Sequence, residues 1–203
     1  MEEARLLQLA SQGDLGAFNE LVLKYQNLVF SHAYGLLENY DAADDITQDA
    51  FILAFRKMYQ FRGGSLRAWL LKIVTNLCYD EMRAWKRAPL QPLEPINEDG
   101  EINESPYWIK DPNLLPEESI EIRELRVGIE RGLSTLPINF RIAVTLVDIQ
   151  ELSYEEAALI MGTSIGTLKS RLARGRLMLR NALMKIYRAN GLTYEFTRRE
   201  AAI

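Results

Sequence analysis

The chain of 203 residues has one cysteine, one histidine and no long uninterrupted apolar run. The single cysteine, Cys78, cannot form a disulfide within the chain, so a reducing compartment is favoured. Charged or polar residues interrupt each apolar stretch well before the roughly 18 residues that a membrane-spanning helix needs. The opening residues, MEEARLLQLA, show no basic-then-apolar leader. We therefore expect a cytoplasmic protein.

Alternating β-branched segments are also scarce, which leaves little material for a β-sheet. Hydrophobic residues make up 48% of the chain and charged residues 26%, proportions that are typical of a globular protein and exclude disorder throughout. The length is sufficient for one large domain or two small ones. The sequence therefore predicts an all-α fold.

The chain has no excess of basic residues, since 24 basic and 28 acidic side chains give a formal charge of −4. This sum hides four blocks of opposite sign, which act at separate places. Residues 38–49 carry −5, residues 55–87 carry +6, residues 89–122 carry −8, and residues 157–194 carry +7. Either basic block can hold a polyanion. The acidic block 89–122 also contains six prolines, so it is interpreted as a linker.

Apolar residues at spacings of three and four predict three helices in the first part of the chain. Asp14, Asp41 and Ser65 are suited to be their N-caps. With those caps, the helices cover residues 14 to 36, 41 to 59 and 65 to 87. We expect them to pack into a first domain.

A second group of helices is predicted after the linker, over residues 120 to 136, 139 to 150, 153 to 162 and 164 to 189. Its most specific part is SYEEAALIMGTSIGTLKSRLARGR, residues 153–176. Ser153 and Glu156 have the spacing of a capping box, and Gly162 can end the short helix that they begin. A capped helix, a glycine turn and a basic helix in this order indicate a helix-turn-helix.

In this helix-turn-helix, Ile165, Leu168 and Leu172 should pack against residues 157, 158, 160 and 161 of the preceding helix and leave a polar face exposed. The exposed residues are Gly166, Thr167, Lys169, Ser170, Arg171 and Arg174. A helix fits the DNA major groove, where arginine can bind two acceptors of guanine and lysine can neutralise a phosphate. The alternative is a solvated basic helix in a helical hairpin, but the agreement of caps, turn and charge favours DNA binding.

Aromatic and basic residues alternate between residues 61 and 83. Phe61-Arg62-Gly63-Gly64-Ser65 leads into Arg67, Trp69, Lys72, Asn76 and Arg83. Basic grooves that contain aromatic or polar pockets hold single-stranded nucleic acid, because they accept unstacked bases. The alternative for Trp69 is a place in the core.

Acidic residues cluster at Asp44-Asp45-Ile-Thr-Gln-Asp49, which permits three interpretations. Carboxylates on one helix can hold magnesium with a substrate phosphate, as in a helical enzyme that acts on diphosphates. No second aspartate cluster supports this, and His32, the only histidine, lies on an apolar stripe. A solvated helix start and a protein-docking face are the alternatives. We expect no catalytic residue, metal or cofactor.

The order of these pieces, together with two long segments, resembles the extracytoplasmic-function (ECF) sigma factors of the sigma-70 family. The segments are YDAADDITQDAFILAFRKMYQFRGGSLRAWLLKIVTNLCYDEMRAWKR and LSTLPINFRIAVTLVDIQELSYEEAALIMGTSIGTLKSRLARGRLMLR. The resemblance covers about residues 14–185. It implies two small helical domains: sigma region 2 over 1–88 and the region 4 helix-turn-helix over 117–190. An acidic, flexible, proline-rich linker at 89–116 would join them, and 191–203 would form a tail.

The resemblance also implies partners and roles. Region 2 would bind the clamp helices in the largest subunit of bacterial RNA polymerase core, through Asp44, Asp45, Gln48 and Asp49. It would recognise and help melt the minus-10 element through Phe61, Arg62, Ser65, Trp69, Lys72, Asn76 and Arg83. Region 4 would read the minus-35 element and contact its phosphates through Ser153, Tyr154, Thr167, Lys169, Ser170, Arg171 and Arg174. Its apolar surfaces would meet the flap of the second-largest subunit, and an anti-sigma factor would control the protein.

Two features leave alternatives open. A helix-turn-helix regulator that binds duplex DNA without polymerase would explain residues 153–176 equally well, although not the acidic face or the linker. Tyr107-Trp108-Ile109 forms an aromatic island in the polar linker. We hypothesise that the island docks within the chain or on an anti-sigma factor.

Overall fold

The structure is a computed structural model that describes residues 2–87 and 120–189. Within these two ranges it contains eight α-helices and no strand, divided between two compact units. The predicted all-α class with two small helical domains is confirmed. The predicted linker at 89–116, its island at 107–109 and the tail at 191–203 lie outside the described residues. None of the described helices has the length and apolar character needed to cross a membrane.

The first unit is a bundle of four helices. They are α1 (Glu2–Ser11), α2 (Leu15–Leu37), α3 (Tyr40–Lys57) and α4 (Leu66–Arg87), with a 3-10 turn at Met58–Gln60 after α3. Helix α2 packs against each of the other three, and α3 also packs against α4. Val29, Phe30 and Ala33 of α2 are buried at this centre, with Leu71 and Val74 of α4.

Two of the three N-caps predicted for this unit are confirmed, and one is wrong. Asp14 accepts from the backbone N–H of Ala17 at 2.9 Å, and the Ser65 hydroxyl accepts from Ala68 N–H at 3.1 Å, as predicted. The predicted cap Asp41 is wrong, because Asn39 takes that place and accepts from Ala42 N–H at 2.9 Å. Asp41 lies in the first turn, where its negative charge still favours the helix dipole.

Helix α1 was not among the predicted helices, so the first unit has four helices rather than three. It is attached to α2 by Glu3, whose carboxylate is paired with the ammonium of Lys24 and accepts from the hydroxyl of Tyr25 at 3.1 Å. The hydrogen bond from Lys24 lowers the pKa of Glu3 below its ordinary value. Long-range side-chain contacts thus help to hold this short helix.

The single histidine and the single cysteine both lie in the core of the first unit. His32 on α2 is fully buried, and its Nε2 lies 2.9 Å from the hydroxyl oxygen of Thr75 on α4. Burial lowers the pKa of His32 to about 4, so the ring is neutral near pH 7. Burial likewise raises the pKa of the Cys78 thiol to about 12, which makes it a poor nucleophile.

The remaining helices follow in the second part of the described chain. They are α5 (Ile120–Ser134), α6 (Ile138–Val144), α7 (Tyr154–Ile160) and α8 (Ile165–Ala189), with a π-helical turn at Thr145–Ile149. Helix α8 packs against α5 and α6. Leu133, Leu136, Val144 and Leu172 form the centre of this core.

Glycine at position 175 sets how closely α6 and α8 approach each other. A Cβ atom on Gly175 would lie 2.7 Å from Cγ2 of Val144 and 3.1 Å from the carbonyl oxygen of Phe140. Either distance is shorter than ordinary van der Waals contact, and the second partner is backbone. Only a residue without a side chain therefore fits this crossing point.

Candidate functional site

The helix-turn-helix begins with the predicted capping box. Ser153 Oγ accepts from Glu156 N–H at 3.2 Å, and the Glu156 carboxylate accepts from Ser153 N–H at 3.1 Å. Gly162, at φ +59°, follows the last turn of α7. Two otherwise unpaired N–H groups at the start of α7 are thereby satisfied.

Helix α8 is held in one rotational setting by its cap and by its buried side. Ser164 Oγ accepts from Thr167 N–H at 3.1 Å and also contacts the Thr167 hydroxyl at 2.9 Å. Leu168 and Leu172 are buried, as are Ala157 and Ala158 of α7. The predicted place of Ile165 in this core is wrong, because Ile165 begins α8 and is 39% exposed. The opposite side of α8 is directed to solvent. It exposes Thr167, Lys169, Ser170 and Arg174, while Arg171 is half-buried.

Ser170 and Lys169 each make a contact that restricts how they can meet a ligand. The Ser170 hydroxyl donates to the carbonyl oxygen of Gly166 at 3.0 Å, so its oxygen lone pairs stay available as acceptors. The ammonium of Lys169 lies 5.5 Å from the ring centroid of Tyr154, a cation–π distance. The structure thus brings two residues of the predicted minus-35 set together across the turn.

Arg176 belongs to the same basic block, yet the structure pairs it with Asp148 in the π-helical turn. Arg176 Nη2 donates to Asp148 Oδ1 at 2.6 Å, and Nε donates to Oδ2 at 3.0 Å. The charge count did not reveal this pair, because its partners are 28 residues apart in the chain.

The loop between the 3-10 turn and α4 holds the first part of the predicted minus-10 set. The rings of Phe61 and Trp69 pack with centroids 5.4 Å apart and a tilt of 56°. Gly63 and Gly64 follow at φ +91° and +92°, a conformation that favours glycine. Arg62 and Ser65 are exposed beside them. Trp69 packs on Phe61 and is only half-buried, so the core does not enclose it completely.

Further along α4, polar residues at spacings of three and four form one stripe. Asn76 and Arg83 are exposed on it, and Lys72 is half-buried. Asp80 lies between Asn76 and Arg83, with its carboxylate 3.3 Å from the Arg83 guanidinium. Both side chains of this pair are largely exposed, so the contact constrains Arg83 only weakly.

The acidic cluster forms one side of α3. Asp45, Gln48 and Asp49 are exposed and Asp44 is half-buried, with Gln48 Nε2 donating to Asp44 Oδ2 at 2.8 Å. Ile52 extends the same stripe and is 50% exposed. The opposite side of α3 is buried in the bundle, through Ala43, Ile46, Ala50 and Phe51.

Ile52 and Tyr59 are exposed beside these residues, and neither was predicted from the sequence to belong to a site. Tyr59, in the 3-10 turn just before Phe61, is 72% exposed and accepts from Gln60 Nε2 at 2.7 Å. Ile52 lies four residues after Gln48, so the helical repeat puts both on the same side of α3. This spacing could have predicted that Ile52 belongs to the stripe. No comparable sequence signal marks Tyr59.

Family models match both units. Residues 21–88 match sigma-70 region 2, and residues 126–179 match sigma-70 region 4. Among solved structures, the chain is similar to the sigma factor RpoE from Bartonella quintana, in complex with the anti-sigma factor NepR. That likeness has a TM-score of 0.64 at 28% identity and covers 82% of this chain and 96% of the other.

Two curated relatives illustrate the likeness in sequence. The ECF RNA polymerase sigma factor SigE of Mycolicibacterium smegmatis is 37% identical over 86% of this chain, which spans 64% of that relative's length. The ECF RNA polymerase sigma-E factor of Escherichia coli K12 is 35% identical over 90% of this chain and 95% of its own length. With this identity over nearly the whole of a relative, and with both sigma regions matched in order, the chain belongs to the ECF RNA polymerase sigma factors of the sigma-70 family.

Proposed function

We propose that this sigma factor directs bacterial core RNA polymerase to promoters with minus-35 and minus-10 elements and helps to melt the DNA there. The observation that carries the proposal is a contrast within one bundle: α3 exposes an acidic stripe, whereas the loop and α4 expose an aromatic, amide and basic stripe. A protein that only binds duplex DNA needs neither the acidic stripe nor a surface for unstacked bases.

The acidic stripe on α3 is the proposed contact with the clamp helices of the largest polymerase subunit. Asp45, Gln48 and Asp49 are exposed, and Gln48 donates to Asp44 within the same stripe. Ile52 adds an apolar residue at the end of the stripe. An apolar anchor beside charged groups is a common composition for protein interfaces, in which charge sets orientation.

The loop and α4 are the proposed minus-10 surface. The Phe61–Trp69 pair offers an aromatic wall, and the adjacent Gly63-Gly64 adds no side chain that would block a base. Asn76 can donate to and accept from a base edge, while Arg62, Lys72 and Arg83 can contact phosphates. The Ser65 hydroxyl caps α4 and is exposed beside the same loop. This combination suits a single strand whose bases have left the stack.

Helices α7 and α8 are the proposed minus-35 reader. Arg171 and Arg174 would bind base edges in the major groove, where Lys169 and Ser170 extend the same face. Ser153, Tyr154 and Thr167 would approach phosphates. In domain terms, residues 1–88 act as region 2 and residues 117–190 as region 4, with 89–116 as the acidic linker and 191–203 as a tail. Apolar surfaces of region 4 would bind the flap of the second-largest subunit.

Control by an anti-sigma factor is part of the proposal, because the similar Bartonella quintana sigma factor is in complex with one. The protein would act in the cytoplasm and would have no catalytic residue or cofactor of its own. Its acidic blocks would suppress non-specific binding to phosphates, so that free DNA affinity stays low until polymerase is bound.

Transcription by purified bacterial core polymerase from a promoter library tests the proposal. With the protein, we expect initiation at sites that share two elements at a fixed spacing, and without it none. No response from core, together with tight binding of the protein alone to duplex DNA, would favour the independent helix-turn-helix regulator instead.

Charge reversal tests the docking stripe separately. Asp45→Lys and Asp49→Lys, made singly, should weaken binding to core polymerase while leaving native helicity unchanged. Glu20→Lys is the matched control, since Glu20 is an exposed acid on α2. If all three variants bind core equally well, the role of the α3 stripe is wrong.

A further inference from the structure

The core of the four-helix bundle contains a polar pair that crosses from α2 to α4. His32 on α2 and Thr75 on α4 are both fully buried, and His32 Nε2 lies 2.9 Å from the Thr75 hydroxyl oxygen. The two residues are 43 positions apart in the chain, so their bond forms when α4 packs on α2. It ties one helix to the other at a defined point.

This pair is a costly way to fill a core. Nδ1 of His32 is buried and has no hydrogen-bond partner among the described residues. A buried polar atom without a partner carries a desolvation cost that an apolar side chain of similar size would avoid. Stability alone would therefore favour an apolar residue at position 32. What the pair adds is direction, because a hydrogen bond weakens steeply as its angle departs from linearity.

The neighbours of Thr75 on α4 supply packing without that direction. Leu71, Val74 and Cys78 are also fully buried and belong to the apolar side of the helix. Apolar burial is non-directional and depends on the area removed from water. These contacts hold α4 against the bundle, but they select one rotation of the helix less sharply than the bond between His32 and Thr75 does.

The rotation of α4 about its axis decides where its exposed side chains point. Asn76 follows Thr75 directly and is exposed, and successive residues of an α-helix are about 100° apart around the axis. An amide reads a base edge through directed hydrogen bonds, so a small rotation of α4 would misalign it. Lys72 is affected less, because an ammonium attracts a phosphate as a point charge.

We propose that His32 and Thr75 are positioning residues for minus-10 recognition: their buried hydrogen bond fixes the rotation of α4 and so aims the Asn76 amide at an unstacked base. The proposal rests on the proposed minus-10 function of α4 and adds two residues that act through Asn76 without touching DNA. A hydroxyl inside the core thus controls base preference at the surface.

Removal of the Thr75 hydroxyl in reconstituted holoenzyme tests this role. Thr75→Val keeps the shape of the side chain and should weaken binding to a promoter with a pre-melted minus-10 element about 2- to 12-fold, the range expected for one hydrogen bond. Asn76→Ala should cost a similar factor, and the double variant should lose no more than Asn76→Ala alone. Losses that multiply, or full binding by Thr75→Val, would overturn the proposal.

Base preference and salt dependence separate positioning from a purely structural role. Each holoenzyme is compared on pre-melted promoters that carry each base in turn along the minus-10 strand. Thr75→Val should reduce the preference at the same position as Asn76→Ala does, and should leave the slope of log affinity against log salt unchanged. A variant that is only less stable would bind every sequence less well and keep its base preference. That result would also overturn the proposal.

Thr75→Ser and Thr75→Ala cover the case in which Thr75→Val does not fold. Both lose the methyl group and differ from each other in the hydroxyl. Thr75→Ser should keep the base preference and Thr75→Ala should lose it. Equal preference in the two variants would contradict a role for the hydroxyl.

Thr47→Val is the matched control, because the buried hydroxyl of Thr47 donates to the carbonyl oxygen of Ala43 in its own helix at 2.7 Å. It should leave base preference unchanged, and an equal loss would show that any buried hydroxyl has this effect. If Asn76→Ala binds like the unchanged protein, the proposed minus-10 role of Asn76 fails, and the positioning role fails with it. A loss for Asn76→Ala without one for Thr75→Val overturns only the positioning role.

Discussion

Helix α4 presents an aromatic pair, an amide and basic residues after a two-glycine loop, whereas residues 167–174 of α8 present hydroxyls and cations without an aromatic ring. The loop before α4 has two backbone positions at positive φ, and the start of α8 is fixed by a serine cap. An unstacked base needs an aromatic or polar pocket, while a base pair in a duplex is read at its edge by directed donors. Under the proposed function, the contrast predicts that α4 binds a separated strand and α8 binds duplex DNA.

The largest expected effect comes from a substitution that weakens the packing of α8 in its core and leaves α4 unchanged. Leu168→Ala should lower the free energy of unfolding of the second unit by about 2–5 kcal/mol, because Leu168 is fully buried. Initiation that depends on the minus-35 element should fail, while binding to core polymerase through the α3 stripe persists. Leu177→Ala on the exposed side of α8 is the control, and urea unfolding followed by helicity gives the measurement.

Readout by α8 should be base-specific. Arg171→Ala and Arg174→Ala should each cost about 1–3 kcal/mol of discrimination between the correct and a substituted minus-35 base pair. The comparison requires holoenzyme binding to a set of promoters with single upstream substitutions. Equal losses on every upstream sequence would mean that these arginines contact only phosphates. Arg188→Ala, at the far end of the same helix, should leave discrimination unchanged.

Readout by α4 should be confined to the separated strand. Asn76→Ala should weaken binding to a promoter with a pre-melted minus-10 element by about 0.5–1.5 kcal/mol, the value of one hydrogen bond. The loss should depend on the base in that strand. Gln26→Ala, an exposed amide on α2, serves as the control. An equal loss on a fully duplex fragment would remove the contrast with α8.

The stability of the first unit should fall in acid because of His32, which the second unit lacks. This is the smallest of the expected effects near pH 7. The pKa of His32 is about 4 in the folded chain, against an ordinary value of 6.5. Between these two pH values the unfolded chain binds a proton at His32 and the folded chain does not, so protonation favours unfolding. The contribution of neutral His32 is complete above pH 6.5 and is lost as the pH falls toward 4. The midpoint temperature of thermal unfolding, followed by tryptophan fluorescence, should fall as the pH drops from 6.5 toward 4. For His32→Gln, the slope of this temperature against pH should be flatter. Equal slopes would contradict the assignment.

Local features of this chain could be predicted from its sequence. The cap at Ser65 and the Ser153–Glu156 capping box involve residues only three apart, so their geometry follows from spacing alone. The helix-turn-helix was predicted for the same reason. Asn39 shows the limit of such rules: two suitable capping residues lie two positions apart, and the one with extended backbone, φ −128° and ψ 122°, is the cap.

Features that depend on distant residues could not be predicted. Helix α1 is short and is tied to α2 by Glu3, Lys24 and Tyr25, more than 20 residues apart in the chain. The packing of Phe61 on Trp69 requires the loop to fold against α4, and the pairing of Arg176 with Asp148 requires α8 to lie beside the π-helical turn. For the candidate site, the sequence therefore predicted which residues are polar and helical, but not which of them are already committed to a neighbour.

The close approach at Gly175 has a consequence for engineering new promoter specificity. Positions 169, 170 and 174 are exposed, so their side chains can be exchanged without disturbing the core. Position 175 allows no such exchange, because any side chain there would strike Val144 and the backbone of Phe140. A library for altered promoter specificity should therefore vary the exposed positions 169, 170 and 174 and keep glycine at 175, since otherwise loss of folding would be mistaken for loss of sequence preference.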